Sequence, residues 1–476
     1  MTHPGARAGL AGDSPAGDSP AGDSPDGKAC AGNSPAGQAS AGHGPASDSP
    51  DSHGSASDSP ASHGSASDGP AGNGLASHGL LTGLTEIAET GRDRARGGYS
   101  RHLFNDADLD LRAWFIERAT KQGLAVEIDR NSNIWAWWGT PGRDAVVTGS
   151  HLDSVPGGGA YDGPLGVESA LDAIARLMLS GLKPRRPVAI LVFAEEEGSR
   201  FGIACLGSRL MTGSIAGDAA RALKDRDGVT LVDAATRAGV DAARFGTDPE
   251  SLDRIGLFIE LHVEQGRGLI DLGEPVALAS SILAHGRWRL SFAGQGNHAG
   301  ATLMADRRDP MVAAARAIVA IQDAAVASRG GRATVGRLEP VPGGTNVIAS
   351  SVDLWLDARA ESAGQTRALV ADIAAGVDAI ERESGIPVIW AEESFSGAVH
   401  FDPLLRFRFA AALGGLPELA TGAGHDAGIL AAHVPSAMLF VRNPTGISHS
   451  PEEFAEFDDC LAGVFALEDL LRSVLE

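Results

Sequence analysis

Continuous apolar runs alternate with helix-like patterns along most of the chain. A short unbroken apolar run between turns is typical of a strand buried on both faces of a parallel sheet. Such runs lie at 187–194 (PVAILVFA), 255–261 (IGLFIEL) and 437–441 (AMLFV). Residues 106–122 instead repeat their apolar positions at helical spacing, and helices are also predicted over 166–180 and 457–475. This alternation predicts an α/β domain with a central, mostly parallel sheet.

A second pattern occupies residues 283–397. Its predicted order is strand, helix, strand, strand, helix, strand, which is the ferredoxin-like βαββαβ unit. The strands are predicted at 287–293, 333–338, 352–359 and 387–392, and the helices at 310–328 and 365–383. Because this unit is complete in itself, we expect it to be a domain inserted into a larger one formed by residues 81–282 and 398–476.

Residues 1–80 differ from the rest in composition. The pentapeptide AGDSP occurs three times and then decays into variants, and the segment has no aromatic residue. Ala, Gly, Ser, Pro and Asp cannot bury enough apolar area to offset the entropy lost on ordering. We therefore predict a disordered, low-complexity tail and assign it no catalytic role.

Charge and composition narrow the function classes. The net charge of −22 argues against a nucleic-acid partner, because phosphate backbones require basic surfaces. No apolar run approaches the roughly 18 residues of a membrane helix, and residues 1–11 lack the apolar core of a signal peptide. We expect a cytoplasmic protein without a membrane partner. The 3 cysteines are scattered, so any metal would be held by histidines and carboxylates.

Metal-ligand residue types follow the predicted buried strands. His151 and Asp162 come after one strand, Glu196 and Glu197 after the next, and His262 and His449 after two more. Because the carboxyl ends of parallel strands meet at one edge of a sheet, these side chains are expected to converge. Three imidazoles with carboxylates suit Zn²⁺ or Mn²⁺, and a carboxylate not bound to metal can move protons.

Two alternatives remain open from the residues alone. The loop at 151–166 can be a tight turn whose aspartate caps a helix, with an incidental histidine. The acidic stretch 195–197 can be a solvated strand end.

Seven motifs resemble one known family. They are HLDSVPGGGAYDG, EEEGSRF, ELHVEQG, NHAGAT, TNVI, GAGHDA and GISHSPEE. In this order they resemble the M20 metallopeptidase clan, and more narrowly its amidohydrolase branch of allantoate amidohydrolases, N-carbamoyl-L-amino-acid hydrolases and β-ureidopropionases. The resemblance covers about residues 81–476. The histidine at position 262 is the narrower signal, since other members of the clan usually place an acid there.

The resemblance implies a two-metal site. His151 and His262 would hold one divalent ion, Glu197 and His449 the other, and Asp162 would bridge them. The ions would be Zn²⁺ or Mn²⁺, with Ni²⁺ and Co²⁺ as further candidates. Glu196 would act as general base and then as acid. Asp153 would bond to His151 and fix its tautomer.

The resemblance also implies a substrate pocket shared by both domains. The inserted domain would act as a lid and mediate a homodimer. Residues implied to face the substrate are Gln265, His298, Asn346, Arg359, Gly424 and His425. His425 has an alternative interpretation as a core histidine. After NHAG the chain reads Ala301-Thr302-Leu303-Met304 and lacks a proline common in the family, which affects the lid turn rather than hydrolysis.

These features together predict hydrolysis of a linear-amide C–N bond in a ureido compound that carries a carboxylate. Allantoate is the favoured substrate. N-carbamoyl-L-amino acids are the alternative, together with N-formyl or N-acyl amino acids. A metal aminopeptidase and a non-catalytic binding protein are the rivals from other classes; His262 argues against the first, and the complete ligand set argues against the second.

Overall fold

The computed structural model describes residues 79–476. The predicted tail therefore lies outside the described residues, apart from Gly79 and Leu80. The elements before residue 283 are α1 (Thr82–Glu86), α2 (Asp106–Lys121), β1 (Ala125–Ile128), β2 (Ile134–Trp138), β3 (Ala145–His151), α3 (Pro164–Leu179), β4 (Val188–Phe193), α4 (Leu206–Thr212), α5 (Gly217–Arg221), α6 (Leu231–Arg237), α7 (Pro249–Leu252), β5 (Ile255–Val263), α8 (Gly268–Leu272) and β6 (Val276–Ile282).

The remaining elements follow in two groups. The first group is β7 (Ala284–Ala293), β8 (Asn297–His298), α9 (Pro310–Ala327), β9 (Arg332–Val341), β10 (Val347–Ile348), β11 (Ser351–Ala360), α10 (Ala363–Ser384) and β12 (Val388–Ser396). The second group is β13 (Val399–His400), α11 (Pro403–Ala412), β14 (Glu418–Thr421), α12 (Asp426–Leu430), β15 (Ser436–Val441) and α13 (Phe457–Leu475).

The large sheet has a parallel centre and antiparallel flanks. Its strand order is β1-β2-β4-β3-β5-β15-β6-β13, with β14 paired to β6. The four central strands, β4, β3, β5 and β15, run parallel to one another. Alternate residues of β4 and β5 enter two different cores, one beneath α3 and α13 and one beneath α4 and α12. The predicted α/β class with a central, mostly parallel sheet is confirmed.

Strands β3 and β5 both continue past their apolar runs to include a histidine. β3 ends at His151, which pairs with Phe193 of β4, and β5 ends at Val263, so that His262 pairs with Phe440 of β15. Both histidines are therefore held by strand backbone rather than by the loops after it. The apolar run 255–261 ended before His262, because a hydrophobic pattern treats a buried histidine as polar.

A separate four-stranded antiparallel sheet comes from the inserted unit. Its strand order is β12-β7-β11-β9, and α9 and α10 pack together on one of its faces. The sequence of elements is β-α-β-β-α-β, interrupted only by the short β8–β10 ladder, and the predicted ferredoxin-like fold is confirmed.

Helix α9 is the one helix among residues 79–476 that is long and apolar enough to cross a membrane. Only 28% of it is buried, and it contacts β9, β11 and β7 of the inserted sheet. A single helix that meets this length and composition test is weak evidence for a membrane segment.

Gly149 sets the spacing between β3 and β4, two residues before His151. Its φ is +148°, and a Cβ atom there would lie 1.9 Å from the carbonyl oxygen of Leu191. Gly149→Ala is therefore expected to lower the free energy of unfolding by about 3 kcal/mol, because the central strands must separate. Chemical denaturation measures the change. Gly336→Ala on β9 is the matched control, since nothing lies within 4 Å of its Cβ position; equal stability of the two variants would contradict this view of β3.

Candidate active site

The carboxylate of Asp162 lies between two groups of metal-ligand side chains. Its Oδ1 is 3.4 Å from Nε2 of His151 and 3.2 Å from Nε2 of His262. Its Oδ2 is 3.5 Å from Nε2 of His449, which in turn is 3.4 Å from Oε2 of Glu197. The structure thus brings together all five residues that the resemblance implied as ligands. They form two clusters that share Asp162 and have the donor types of divalent-cation sites.

The two strand histidines present the nitrogen that a metal requires. Nδ1 of His151 donates to the carbonyl oxygen of Asp153 at 3.0 Å, and Nδ1 of His262 donates to that of Val263 at 2.8 Å. Since a carbonyl can only accept, the proton is on Nδ1 in both rings. Their Nε2 atoms lie 3.4 Å apart, and both face the carboxylate of Asp162, an arrangement that a cation between them would stabilise.

Asp153 bonds to His151 through its backbone carbonyl rather than through its carboxylate. Its carboxylate oxygen is 3.6 Å from Nδ1 of His151, beyond hydrogen-bond distance, while its carbonyl makes the bond. The carboxylate instead accepts from the backbone N–H of Glu196 at 3.1 Å and of Glu197 at 3.0 Å. Asp153 therefore fixes the tautomer of His151 through its backbone and the position of both glutamates through its side chain.

Burial concentrates negative charge at this edge of the sheet. Burial and the neighbouring charges of Asp162 and Glu196 raise the pKa of Glu197 well above its ordinary value. Burial also raises the pKa of Glu196 to about 7, although the charge of His151 opposes this. Oε1 of Glu197 is buried and has no hydrogen-bond partner. A divalent cation would supply the positive charge and the missing contact, so the residues present fit a metal.

Two residues of the site have strained backbone. His449 has φ of 57° and Glu195 has φ of 54°, in the left-handed region that residues with a side chain rarely adopt. Such strain persists only where surrounding contacts enforce it, and it clusters at functional sites. At Glu195 these contacts are two hydrogen bonds. Its Oε1 accepts from the backbone N–H of Arg200 at 2.9 Å and from that of Phe201 at 2.8 Å.

Glu453 is a residue of the site that sequence reasoning missed. Its Oε1 accepts from the backbone N–H of Tyr161 at 3.1 Å and of Asp162 at 3.0 Å, and its Oε2 accepts from Ser448 Oγ at 2.9 Å. It thereby ties the loop of Asp162 to the loop of His449. The motif SHSPEE contains two adjacent glutamates, and the sequence does not indicate that Glu453 is buried while Glu452 is exposed.

Gln265 and His425 lie against the ligand clusters. Nε2 of Gln265 donates to Asp162 Oδ2 at 2.6 Å and is 3.1 Å from Nε2 of His449. The ring of His425 is buried with its centroid 4.5 Å from that of His262, and neither of its nitrogens has a partner. Burial lowers the pKa of His425 well below its ordinary value, so the ring is neutral. Gly424, next to it, is exposed.

The residues expected from the inserted domain divide into two groups. Arg359, on β11, reaches the loop after β14, where its Nη1 donates to the carbonyl of Gly422. His298 and Asn346 do not reach the ligand clusters by any hydrogen bond within residues 79–476. Nδ1 of His298 accepts from its own loop, at Gly300 and Ala301, and the carbonyl of Asn346 accepts from Ala299.

Asp162→Asn is expected to abolish the stabilisation that Mn²⁺ or Zn²⁺ gives, because each ligand cluster loses its shared charge. For the unaltered protein, an ion at a concentration of about 100 times its Kd should raise the free energy of unfolding by about 2.7 kcal/mol. Thermal unfolding with and without ions measures the effect. Asp353→Asn, an exposed-face aspartate of the inserted sheet, should respond like the unaltered protein; an undiminished response in Asp162→Asn would contradict a metal site here.

Comparison with known proteins agrees with this geometry. The profile of Peptidase family M20/M25/M40 matches residues 147–473. The chain is 34% identical over 390 residues to N-carbamoyl-L-amino acid amidohydrolase of Geobacillus stearothermophilus, covering 81% of this chain and 95% of that protein. It is 33% identical to allantoate amidohydrolase of Bacillus subtilis, covering 79% and 93%. A crystal structure of a hydantoinase/carbamoylase family amidase from Burkholderia vietnamiensis superposes with a TM-score of 0.77 at 29% identity, covering 83% and 97%. The chain belongs to the metal-dependent peptidase family M20/M25/M40.

Proposed function

We propose that this protein is an amidohydrolase that cleaves a linear-amide C–N bond in a ureido compound bearing a carboxylate. The proposal rests on the position of Asp162 between two clusters of ligand side chains, beside a glutamate that belongs to neither cluster. Oε2 of that glutamate, Glu196, is 3.7 Å from Nε2 of His151. Relatives that match this chain over most of their length are named as amidohydrolases, which supports a non-peptide C–N bond as the target.

The proposed cofactor is a pair of divalent ions, Zn²⁺ or Mn²⁺, with Ni²⁺ and Co²⁺ as further candidates. His151 and His262 would hold one ion, Glu197 and His449 the other, and Asp162 both. When bound, such ions polarise the scissile carbonyl and bring the pKa of water near neutrality.

Glu196 is the proposed proton carrier. Its carboxylate belongs to neither ligand cluster, is 5% exposed, and has its pKa raised to about 7 by burial. A group with such a pKa can accept a proton from water and give it to the leaving nitrogen at neutral pH. Sγ of Cys205 lies 3.4 Å from Oε1, which leaves Oε2 directed toward the ligand clusters.

Six residues are proposed to bind the substrate. Arg359 would hold the carboxylate, because a guanidinium can donate two parallel hydrogen bonds to it. Gln265, Gly424 and His425 would line the pocket beside the clusters, with the two unpartnered nitrogens of His425 free for the ureido group. His298 and Asn346 would join when residues 283–397 close as a lid over the larger domain of residues 81–282 and 398–476.

Allantoate is the proposed substrate. Residues 260–269 and 424–453 resemble that branch of the family, and an allantoate amidohydrolase is among the relatives. N-carbamoyl-L-amino acids are the second candidate, favoured by the relative from Geobacillus stearothermophilus. His262 argues against an aminopeptidase, because the peptidases of the clan usually have an acid at that position.

The assay for this proposal measures ammonia released by the Mn²⁺-loaded protein. We expect release from allantoate, or from N-carbamoyl-L-amino acids if the second candidate holds. Glu196→Gln should keep its metal content but lose about a hundredfold to ten-thousandfold in kcat, which is the usual contribution of a positioned proton carrier. Hydrolysis of peptides with no release from either ureido class would overturn the proposal, and an active Glu196→Gln variant would remove Glu196 from its role.

We also propose a homodimer formed through the inserted domain. Val312, Val319 and Val326 are 57%, 57% and 80% exposed and recur every seven residues, so they form one apolar stripe along α9. An exposed stripe of this kind is typical of a helix that packs against a partner.

Val319→Glu combined with Val326→Glu is expected to convert the dimer to a monomer, because two charges would be buried without partners. Analytical ultracentrifugation of the full chain measures the mass. Leu179→Glu is the control, because Leu179 is 87% exposed on α3 of the larger domain. A monomeric starting protein, or a dimer that survives both charges, would contradict this interface.

A further inference from the structure

Arg332 and Arg359 stand side by side on the polar face of the inserted sheet. They are direct partners in the β9–β11 ladder, and His285 is the partner of Arg359 on the other side, in β7. Directly opposed residues share a face, with Cβ atoms about 4.5–5.5 Å apart, and like charges so placed destabilise a sheet. The positive charges of Arg332 and Arg359 therefore repel each other, and a bound anion would reduce this repulsion.

Both guanidinium groups converge on the same residue of the larger domain. Nη1 of Arg359 donates to the carbonyl of Gly422, and a Cβ atom on Gly422 would lie 3.3 Å from Nη1 of Arg332. Gly422 is three residues from His425, whose ring packs on that of His262. The paired cations consequently lie where the inserted domain meets the loop that borders the ligand clusters.

The nearby carboxylate does not neutralise this pair. Asp357 accepts from Nε of Arg359 at 2.6 Å and from Nη2 at 3.0 Å, and it is also 3.5 Å from Nε of Arg287. The single negative charge of Asp357 is thus shared by Arg359 and Arg287, and Arg332 adds a third positive charge. A guanidinium has five N–H groups, so Arg359 keeps donors free after its bonds to Asp357 and Gly422.

The side chain of Arg332 has no hydrogen bond or ion pair within the described part of the chain. The guanidinium group of Arg337, on the same strand and face, does have partners. It donates to Glu339 at 2.7 Å and stacks on Trp355 with 4.1 Å between Cζ and the ring centroid. An unpaired surface arginine is common by itself; the direct pairing with Arg359 and the shared approach to Gly422 are what distinguish Arg332.

We propose that Arg332 is a second substrate-binding residue, which holds the substrate's carboxylate jointly with Arg359. This inference rests on the proposed function and deepens it, because it makes the negative charge of the ureido compound the main determinant of its selection. Two guanidinium groups can donate to both oxygens of one carboxylate, whereas a neutral amide in its place offers one acceptor and no charge.

The test measures Kd by calorimetry in Mn²⁺-loaded, full-length protein with Glu196→Gln, so that no turnover occurs. The probes are allantoate, N-carbamoylglycine and N-carbamoylglycinamide, which lacks the charge. Arg332→Ala is expected to weaken binding of the two acids at least about tenfold, since the loss of a hydrogen bond between charged groups typically changes a binding constant by that factor or more. Binding of the amide should stay unchanged. Arg337→Ala removes the same charge from the same strand and should leave all three Kd values unchanged.

Three results would overturn the inference. They are equal Kd values in Arg332→Ala and Arg337→Ala, an equal loss for acids and amide, and no binding of either acid when Arg332 is intact. The proposed function is decided separately by ammonia release from the active protein. A protein that binds the acids through Arg332 but hydrolyses neither would fail as an amidohydrolase while keeping the anion site.

Discussion

The carboxylate of Asp162 is the group on which the geometry of the site depends. Each of its oxygens faces a different set of ligand atoms, all within 3.5 Å. The side chain is 3% exposed, so its charge has little water to stabilise it. Positive charge on His262, together with hydrogen bonds from His151 and His262, holds the pKa of Asp162 well below its ordinary value in spite of burial. A carboxylate that stays ionised between two clusters of donors is suited to bridge two cations.

A layer of hydrogen bonds behind the ligands keeps them in place. The side chain of Glu453 holds the N–H groups of Tyr161 and Asp162, and that of Asp153 holds those of Glu196 and Glu197. Loops that connect different strands are thereby fixed to one another before any ion binds. Partners of this kind orient metal ligands, and their loss affects metal affinity and activity even though they touch no metal. His449, whose φ is 57°, directly follows Ser448, which donates to the same Glu453 carboxylate.

The sequence was informative where one-dimensional spacing decides the structure. Buried strands produce continuous apolar runs, so the central strands and the residues at their ends were predictable, and βαββαβ order identified the inserted sheet. Contacts between segments that are distant in sequence were not predictable. Whether the carbonyl or the carboxylate of Asp153 meets His151 depends on a backbone turn, and which of two adjacent glutamates is buried depends on packing against Gly159 and Tyr161. The pairing of Arg332 with Arg359 depends on a register shift at Trp355 and Leu356 that no hydrophobic pattern reveals.

The proposed two-metal centre is tested most directly by anomalous X-ray diffraction from crystals of the zinc-loaded protein, collected at the zinc absorption edge. We expect two peaks per chain, about 3.5–4 Å apart, on either side of the Asp162 carboxylate. One peak would lie against His151 and His262 and the other against Glu197 and His449. A single peak, or peaks away from Asp162, would contradict the two-metal centre and the mechanism built on it.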